Sequence, residues 1–276
     1  MKIAVLSGKG GTGKTFVSVN LAAVAANTAY IDCDAEEPNG YLFLKPEEEQ
    51  TEIVYTTVPV FDAHTCDGCR KCVDFCHFNA LAFVKGRPKV FPEICHACGG
   101  CTLVCPRGAV TEEKRAIGTV SQGVSNGIPI VTAALNLGEA SAVPIIRAAV
   151  QKAGDNAVID SSPGSGCPVT ESVSGADYCL LVAEPTAFGL HNLRMVHELV
   201  TLLHKPYGVI VNKSNGIYQP LEDYCGKNRI PILLRIQYSK KIAKISAGGA
   251  LAVNHSAEMR RLFEILWETT SQQVEQ

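Results

Sequence analysis

The sequence has no long apolar run. Its apolar stretches are short and broken by Gly, Pro or charge, whereas a membrane-spanning helix needs about 20 consecutive apolar residues, so no membrane partner is expected. Nor is there an excess of one charge: 25 Lys and Arg face 27 Asp and Glu, for a formal net charge of −2 and an isoelectric point near 6.4. That balance lacks the basic footprint of a nucleic-acid-binding domain. No leader is expected either. Met1-Lys2-Ile3-Ala4-Val5-Leu6 is too short for a signal peptide and runs directly into a glycine-rich stretch, so it is expected to be the first strand of a cytoplasmic protein. Core-forming residues and cysteine, by contrast, are plentiful. Hydrophobic residues make up 46% of the 276 and charged ones 19%, which calls for a packed globular core. Twelve cysteines are many for a cytoplasmic chain.

Cysteine spacing decides between disulfides and metal. Cys33, Cys167, Cys179 and Cys225 are scattered, but the others form two sets: Cys66, Cys69, Cys72 and Cys76, then Cys95, Cys98, Cys101 and Cys105. Each set reads C-x2-C-x2-C-x3-C, and the second repeats the first at a constant offset. Asn79-Ala80-Leu81 after the first is answered by Gly108-Ala109-Val110 after the second, the mark of a duplicated half-domain. This is the bacterial ferredoxin spacing, in which three thiolates grip one [4Fe–4S] cubane and the fourth crosses to the other. One cluster is therefore assigned to Cys66, Cys69, Cys72 and Cys105, the other to Cys95, Cys98, Cys101 and Cys76. Zinc held by CxxC pairs is the alternative, but zinc does not need four cysteines in each run. The second set ends Cys105-Pro106, as the ferredoxin pattern does, and the first ends Cys76-His77. That imidazole is either a surface residue or a group that makes a neighbouring cluster's potential pH-dependent. Lys85, Arg87 and Lys89 alternate on the expected hairpin between the halves, as a solvated turn or as a dock for an acidic redox partner.

On either side the chain has an α/β rhythm. Strands are expected over 3–6, 30–32, 157–159, 178–182, 208–211 and 230–233. Helices are expected up to about 26 and over 145–153, 190–203 and 257–270. The fold class is therefore α/β with a mostly parallel sheet, in which 1–57 and 113–276 form one domain and 58–112 an inserted α+β ferredoxin-like domain. Met259, Leu262, Phe263 and Leu266 share one face of the last helix. The polar face has no basic excess, so packing on the sheet is expected rather than membrane contact.

The glycine-rich stretch Gly8-Lys9-Gly10-Gly11-Thr12-Gly13-Lys14-Thr15 matches G-x-x-x-x-G-K-[ST] between a strand and a helix. Glycines let backbone N–H groups wrap phosphates, Lys14 reaches the β/γ oxygens, and the Thr15 hydroxyl ligates Mg2+. The helix that follows adds the positive end of its dipole. ATP and Mg2+ are the cofactors this pattern calls for, with an ATPase as the activity.

The second lysine, Lys9, makes the loop resemble the deviant Walker A motif of the MinD/ParA/Mrp/nitrogenase iron protein group of P-loop ATPases. In that group the early lysine reaches across a homodimer, so the resemblance implies dimerisation on ATP binding. Asp32-Cys33-Asp34 resembles switch I, which implies that Asp34 orients the attacking water and Asp32 supports Mg2+. Ala157-Val158-Ile159-Asp160-Ser161-Ser162-Pro163-Gly164 resembles Walker B running into switch II, with Asp160 a Mg2+-side carboxylate. Val211-Asn212-Lys213 resembles the adenine-reading segment, which points to Asn212. Glu184-Pro185-Thr186 and Phe188-Gly189-Leu190 extend the likeness. Taken with the cysteine repeat, the chain is similar to MinD-superfamily ATPases that contain a ferredoxin insertion. That resemblance implies hydrolysis coupled to electron transfer through two clusters, with a redox or metal-cofactor partner protein. A cluster carrier is the rival, although no cysteine follows Cys225 to supply a carrier's C-terminal CxxC. A MinD- or ParA-like spatial organiser is the third reading. Cys167 lies at the end of switch II, either near the dimer axis or filling a small packed site.

Overall fold

The computed structural model describes residues 1–274. In chain order the elements are β1 (Lys2–Leu6), α1 (Lys14–Val24), β2 (Ala29–Asp32), α2 (Tyr41–Leu44), β3 (Glu47–Phe61), α3 (Lys71–Phe75), β4 (Leu81–Val84) and β5 (Arg87–Val90). They continue with α4 (Gly100–Leu103), β6 (Val110–Ser125), β7 (Ile128–Leu135), α5 (Val143–Gln151), β8 (Ala157–Asp160), α6 (Cys167–Val173) and β9 (Tyr178–Ala183). The last are α7 (Ala187–Leu202), β10 (Tyr207–Ser214), α8 (Gln219–Lys227), β11 (Ile232–Gln237), α9 (Lys240–Ala247), α10 (Ala252–His255) and α11 (Ala257–Val274).

A nine-stranded sheet in the order β11-β10-β9-β1-β8-β2-β7-β6-β3 is the frame. From β11 to β7 every pairing is parallel. β2, β8 and β9 are buried throughout and β1 from its second residue, because parallel strands covered on both faces must be apolar on both. Alternation along the strands divides these side chains between two layers. Ile3, Val5, Tyr30, Val158 and Leu180 pack under α1, α10 and α11, while Ala4, Leu6, Ile31, Ile159 and Leu181 pack under α5 to α8. Met259, Phe263 and Leu266 of α11 are buried in the first layer, as the apolar stripe requires. No helix among the described residues is long and apolar enough to cross a membrane.

The expected strands and helices all form, with the last strand starting at Ile232 rather than 230, because Ile230 still closes a turn onto the Cys225 carbonyl at 2.8 Å. The far edge of the sheet was not expected. β6 runs antiparallel to β7, and β3 antiparallel to β6. β3 is an edge strand, and its exposed Glu47, Glu49 and Glu52 disfavour pairing with another chain. β6 leaves β7 at the Gly118–Leu135 pair, yet stays paired with β3 out to Val110–Phe61. Those outer residues form a two-stranded ribbon that extends ~27 Å past the carboxyl edge of the parallel strands, at about 3.4 Å per residue. The boundaries at 57/58 and 112/113 fall inside this ribbon.

Residues 62–109 sit at its tip and repeat themselves in backbone conformation. Left-handed residues recur in pairs: Gly68 and Ala97, Arg70 and Gly99, Asn79 and Gly108. The Asn79 and Gly108 amides donate to the Cys76 and Cys105 carbonyls, each at 3.3 Å. Across the halves, the Phe91 amide donates to the Ala80 carbonyl and the Asp62 amide to that of Ala109, at 2.8 and 2.9 Å. The duplication seen in sequence is thus also a duplication of turns.

Candidate functional site

The loop after β1 and the loops after β2 and β8 meet at the carboxyl edge of the sheet, where open α/β sheets hold their ligands. They line a cavity of about 840 Å3 that takes in Lys9, Gly11, Lys14, Thr15, Asp34 and Ser162. Gly13 begins α1 in a left-handed conformation (φ 97°). A side chain there would also collide with Asn212, whose Nδ2 donates to the Thr12 carbonyl at 2.8 Å. The glycine is needed on both counts.

Lys14 is buried, and its Nζ lies 2.5 Å from Asp160 Oδ1 and 3.6 Å from Asp34 Oδ2. Burial opposes its charge, but Asp160, Asp34 and Asp32 outweigh the desolvation and hold the ammonium above the ordinary lysine value. Asp32 accepts backbone N–H bonds from Gly40 at 2.8 Å, Asp34 at 3.1 Å and Asn39 at 3.2 Å. It thereby ties down the loop that carries Asp34. Burial, then the Asp160 charge, pushes Asp32 up to about 7, and burial pushes Asp34 up to about 6 against the pull of Lys14. Asp34 and Thr15 line the cavity with Asp32 and Asp160 buried behind them, which fits Mg2+, a cation that takes one or two carboxylates and fills its other positions with water and phosphate oxygens.

Sequence reading missed two members of the site. Tyr30 is fully buried and its hydroxyl donates to Asp160 Oδ2 at 2.9 Å. Inside an apolar strand it reads as core, and only the crossing of β2 beside β8 reveals its partner. Glu184 bridges two lysines, with Oε2 3.3 Å from Lys9 Nζ and Oε1 2.7 Å from Lys213 Nζ. Lys213 also donates to the Gly11 carbonyl at 2.6 Å, and Lys9 lies over the Phe188 ring. Thr186 caps α7 by accepting from the Gly189 amide at 2.9 Å, which accounts for the Thr186…Gly189 spacing. Asn212 is brought under the loop, beside an apolar pocket of about 340 Å3 lined by Phe16, Ile236, Tyr238, Ile242 and Ala243. Cys167 begins α6 and is exposed, so it does not fill a packed site. Cys33, Cys179 and Cys225 are core residues whose thiols burial pushes up, Cys179 to about 12 and Cys225 to about 11.

At the ribbon tip the other eight cysteines line two small cavities. One is bounded by Cys66, Cys69, Cys72 and Cys105. The other is bounded by Cys76, Cys95, Cys98 and Cys101, with Cys72 shared at its edge. In each, three cysteines come from one run and one crosses from the other. Among the described residues no three His, Cys, Asp or Glu side chains converge as a mononuclear metal site. The cysteine residues instead line voids, and the Ala109 amide donates to Cys105 Sγ at 3.3 Å. His77 is exposed beside the Phe75 ring.

Two tests follow from this geometry. Tyr30→Phe should raise the Mg2+ concentration needed for tight ATP binding by roughly 10-fold, the scale of losing an orienting partner. A Mg2+ titration at matched folding stability measures this, and an unchanged midpoint would count against it. Asp32 and Asp34 hold protons near pH 6 because their values are raised, and a metal favours their ionised forms. Binding of preformed Mg·ATP should therefore release protons at pH 6 and almost none at pH 8.5, with less release in Asp34→Asn. Calorimetry in buffers of different ionisation enthalpy gives the sign, and proton uptake at pH 6 would contradict it.

Residues 3–252 match the family described as the CobQ/CobB/MinD/ParA nucleotide binding domain. An uncharacterized protein of Methanocaldococcus jannaschii is 29% identical over 97% of this chain and 95% of its own. An iron-sulfur cluster carrier protein of Pyrococcus horikoshii is 26% identical over 84% of this chain and 66% of its own. Among solved structures, the cell division ATPase MinD of Pyrococcus furiosus superposes with a TM-score of 0.59 at 17% identity, covering 98% of both chains. The fold and the phosphate loop thus agree with the family match, and the chain belongs to the CobQ/CobB/MinD/ParA nucleotide binding domain family as a P-loop ATPase.

Proposed function

We propose that this ATPase couples an ATP-driven homodimer to electron transfer through two [4Fe–4S] clusters carried by residues 58–112, a ferredoxin-like unit inserted in the nucleotide-binding domain. The observation that carries the reading is the pair of four-cysteine cavities with crossed ligand sets, in the same chain as a complete phosphate loop. Cys66, Cys69, Cys72 and Cys105 would hold one cluster, and Cys95, Cys98, Cys101 and Cys76 the other. Such clusters supply one-electron storage at potentials set by hydrogen bonding and exposure.

At the nucleotide, the loop amides and Lys14 hold the β/γ phosphates, and Lys14 must leave Asp160 to do so. Thr15, with Asp160 and Asp32 behind it, would hold Mg2+, which neutralises developing charge on the phosphates. Asp34 orients the attacking water. Lys9 gives up its pairing with Glu184 and reaches the partner's nucleotide, and Asn212 stands by the apolar pocket for the base. A physical link from this site to the ribbon supports coupling. The Leu135 amide donates to the Ala35 carbonyl at 2.8 Å and the Asn136 amide to that of Ile117 at 2.9 Å. Arg115 on the ribbon makes a bidentate bond to Glu139 in the next loop, at 2.6 and 2.8 Å. A shift of the loop after Asp34 therefore reaches β6 through two hydrogen bonds.

A cluster carrier is the second reading, favoured by the likeness to the Pyrococcus horikoshii carrier protein. Anaerobic EPR of the reduced protein, with and without ATP, separates the two. Nucleotide-dependent signals support gated transfer, and loss of iron to an apo-acceptor supports carriage.

Four variants test the site roles. Lys9→Ala should keep ATP binding and lower hydrolysis by roughly 10²–10³, the scale of removing one transition-state donor; hydrolysis at the wild-type rate would refute the cross-dimer role. Anaerobic protein should hold about eight irons per chain, four for each cubane. Cys76→Ser should then disturb the same EPR signal as Cys98→Ser and spare the one lost in Cys69→Ser. A signal shared by the Cys76 and Cys69 variants would overturn the ligand assignment.

A further inference from the structure

The two cysteine cavities differ in the charge at their mouths. The cavity bounded by Cys66, Cys69, Cys72 and Cys105 is also lined by three cations, Arg70, Lys71 and Arg107, against one acid, Asp67, with Pro88 beside them. Gly68 (φ 72°) brings its loop so close to the β4–β5 turn that a side chain there would lie 2.6 Å from the Gly86 carbonyl. The basic hairpin therefore rests directly on the cysteine loop. Arg70 adds to this contact by stacking on the Phe83 ring, 5.0 Å from its centroid. Along β5, alternation turns Pro88 to the cavity and leaves Arg87 and Lys89 exposed, and Lys85 is exposed in the turn. Arg70, Lys71 and Arg107 thus stand at the mouth beside the exposed Cys69, and Lys85, Arg87 and Lys89 add positive charge on the outer, solvent side of the hairpin that rests against it. Its internal counter-charges are weak. Asp74 lies 3.6 Å from Arg70 and Asp67 lies 4.0 Å from Arg107, all solvent-exposed, where such pairs contribute little.

The other mouth has no comparable cations. A Phe78–His96 stack with centroids 4.0 Å apart covers it, and Glu112 and Phe75 line it beside the ribbon residue Pro59. In a chain of net charge −2, a basic face confined to one of two duplicated mouths is a feature of the surface rather than of the composition.

We propose that this basic face docks an acidic one-electron carrier protein, so that electrons pass at the Cys66, Cys69, Cys72 and Cys105 end. The proposal rests on the cluster reading above. In the exchange the reduced carrier loses one electron and this chain gains it, with no bond formed or broken. Complementary charge steers the encounter and sets the register of the complex. It also makes that complex sensitive to salt. An extended basic groove, as nucleic acid would need, is not what surrounds Cys69. Three of the cations line one cavity mouth and the other three stand on the hairpin packed against it.

The test uses full-length, anaerobically prepared protein and a small acidic two-cluster bacterial ferredoxin as the probe, with binding followed by calorimetry at low and moderate salt. The dissociation constant should rise by roughly 10-fold between 50 and 300 mM salt, because exposed charges are screened over about a Debye length. The double reversal Arg87→Glu with Lys89→Glu should weaken binding by at least about 10-fold at low salt, with iron content and ATP hydrolysis unchanged. His96→Ala, at the other mouth, should leave binding as it was. Salt-independent binding, no loss in the reversed variant, or equal affinity for a duplex oligonucleotide would overturn the proposal. Iron-replete protein that ignores the ferredoxin fails the docking proposal alone. Protein that takes up no iron fails the cluster reading, and the docking proposal with it.

Discussion

A lysine ammonium buried among three carboxylates is the interaction on which the working edge of this molecule depends. Lys14, Asp160 and Asp32 are all removed from solvent, and each charge is tolerable only because the others are there. Removing one partner of such a pair typically costs about 3–5 kcal/mol, because the remaining charge stays buried and unpaired. The arrangement therefore holds β1, β2 and β8 in register at their carboxyl ends. Tyr30 shares in it through Asp160, and three backbone amides share in it through Asp32. In the proposed function a nucleotide would draw Lys14 to its phosphates and leave Asp34 facing the cavity, with Asp32 and Asp160 behind it, and a divalent cation would restore the charge balance.

The long antiparallel ribbon extends that edge. β6 and β3 leave the sheet beside the loop that carries Asp34, and the two cysteine cavities stand at the far end. The backbone bonds from Ala35 through Leu135 and Asn136 to Ile117, with the Arg115–Glu139 pair alongside, give the nucleotide loop a short mechanical path to the ribbon. Antiparallel pairing is well suited to this, because each strand satisfies the other's backbone groups and the ribbon can stand clear of the core. Lys9 takes part in the same logic on the opposite flank. Held in cis by Glu184, it is restrained by a contact that a second subunit would have to replace.

What the sequence settled by itself was local. The phosphate loop, the apolar parallel strands and the doubled cysteine runs are each specified by residues a few positions apart, because turn geometry, burial on both faces of a sheet and a repeated cysteine spacing are short-range features. The helix over 257–270 could be read for the same reason, from a stripe that had to be buried. Tertiary structure decided whatever depended on distant partners. β3 and β6 carry no strong alternation of their own and become strands only by pairing with each other across the cysteine segment. Tyr30 becomes part of the site only because β2 lies beside β8, and Glu184 only because β9 ends next to the phosphate loop. The crossing of cysteines between cavities was legible in the spacing. Placing cations at one mouth and an aromatic stack at the other required the hairpin to fold back onto Gly68, a contact set by backbone approach rather than by any pattern along the chain.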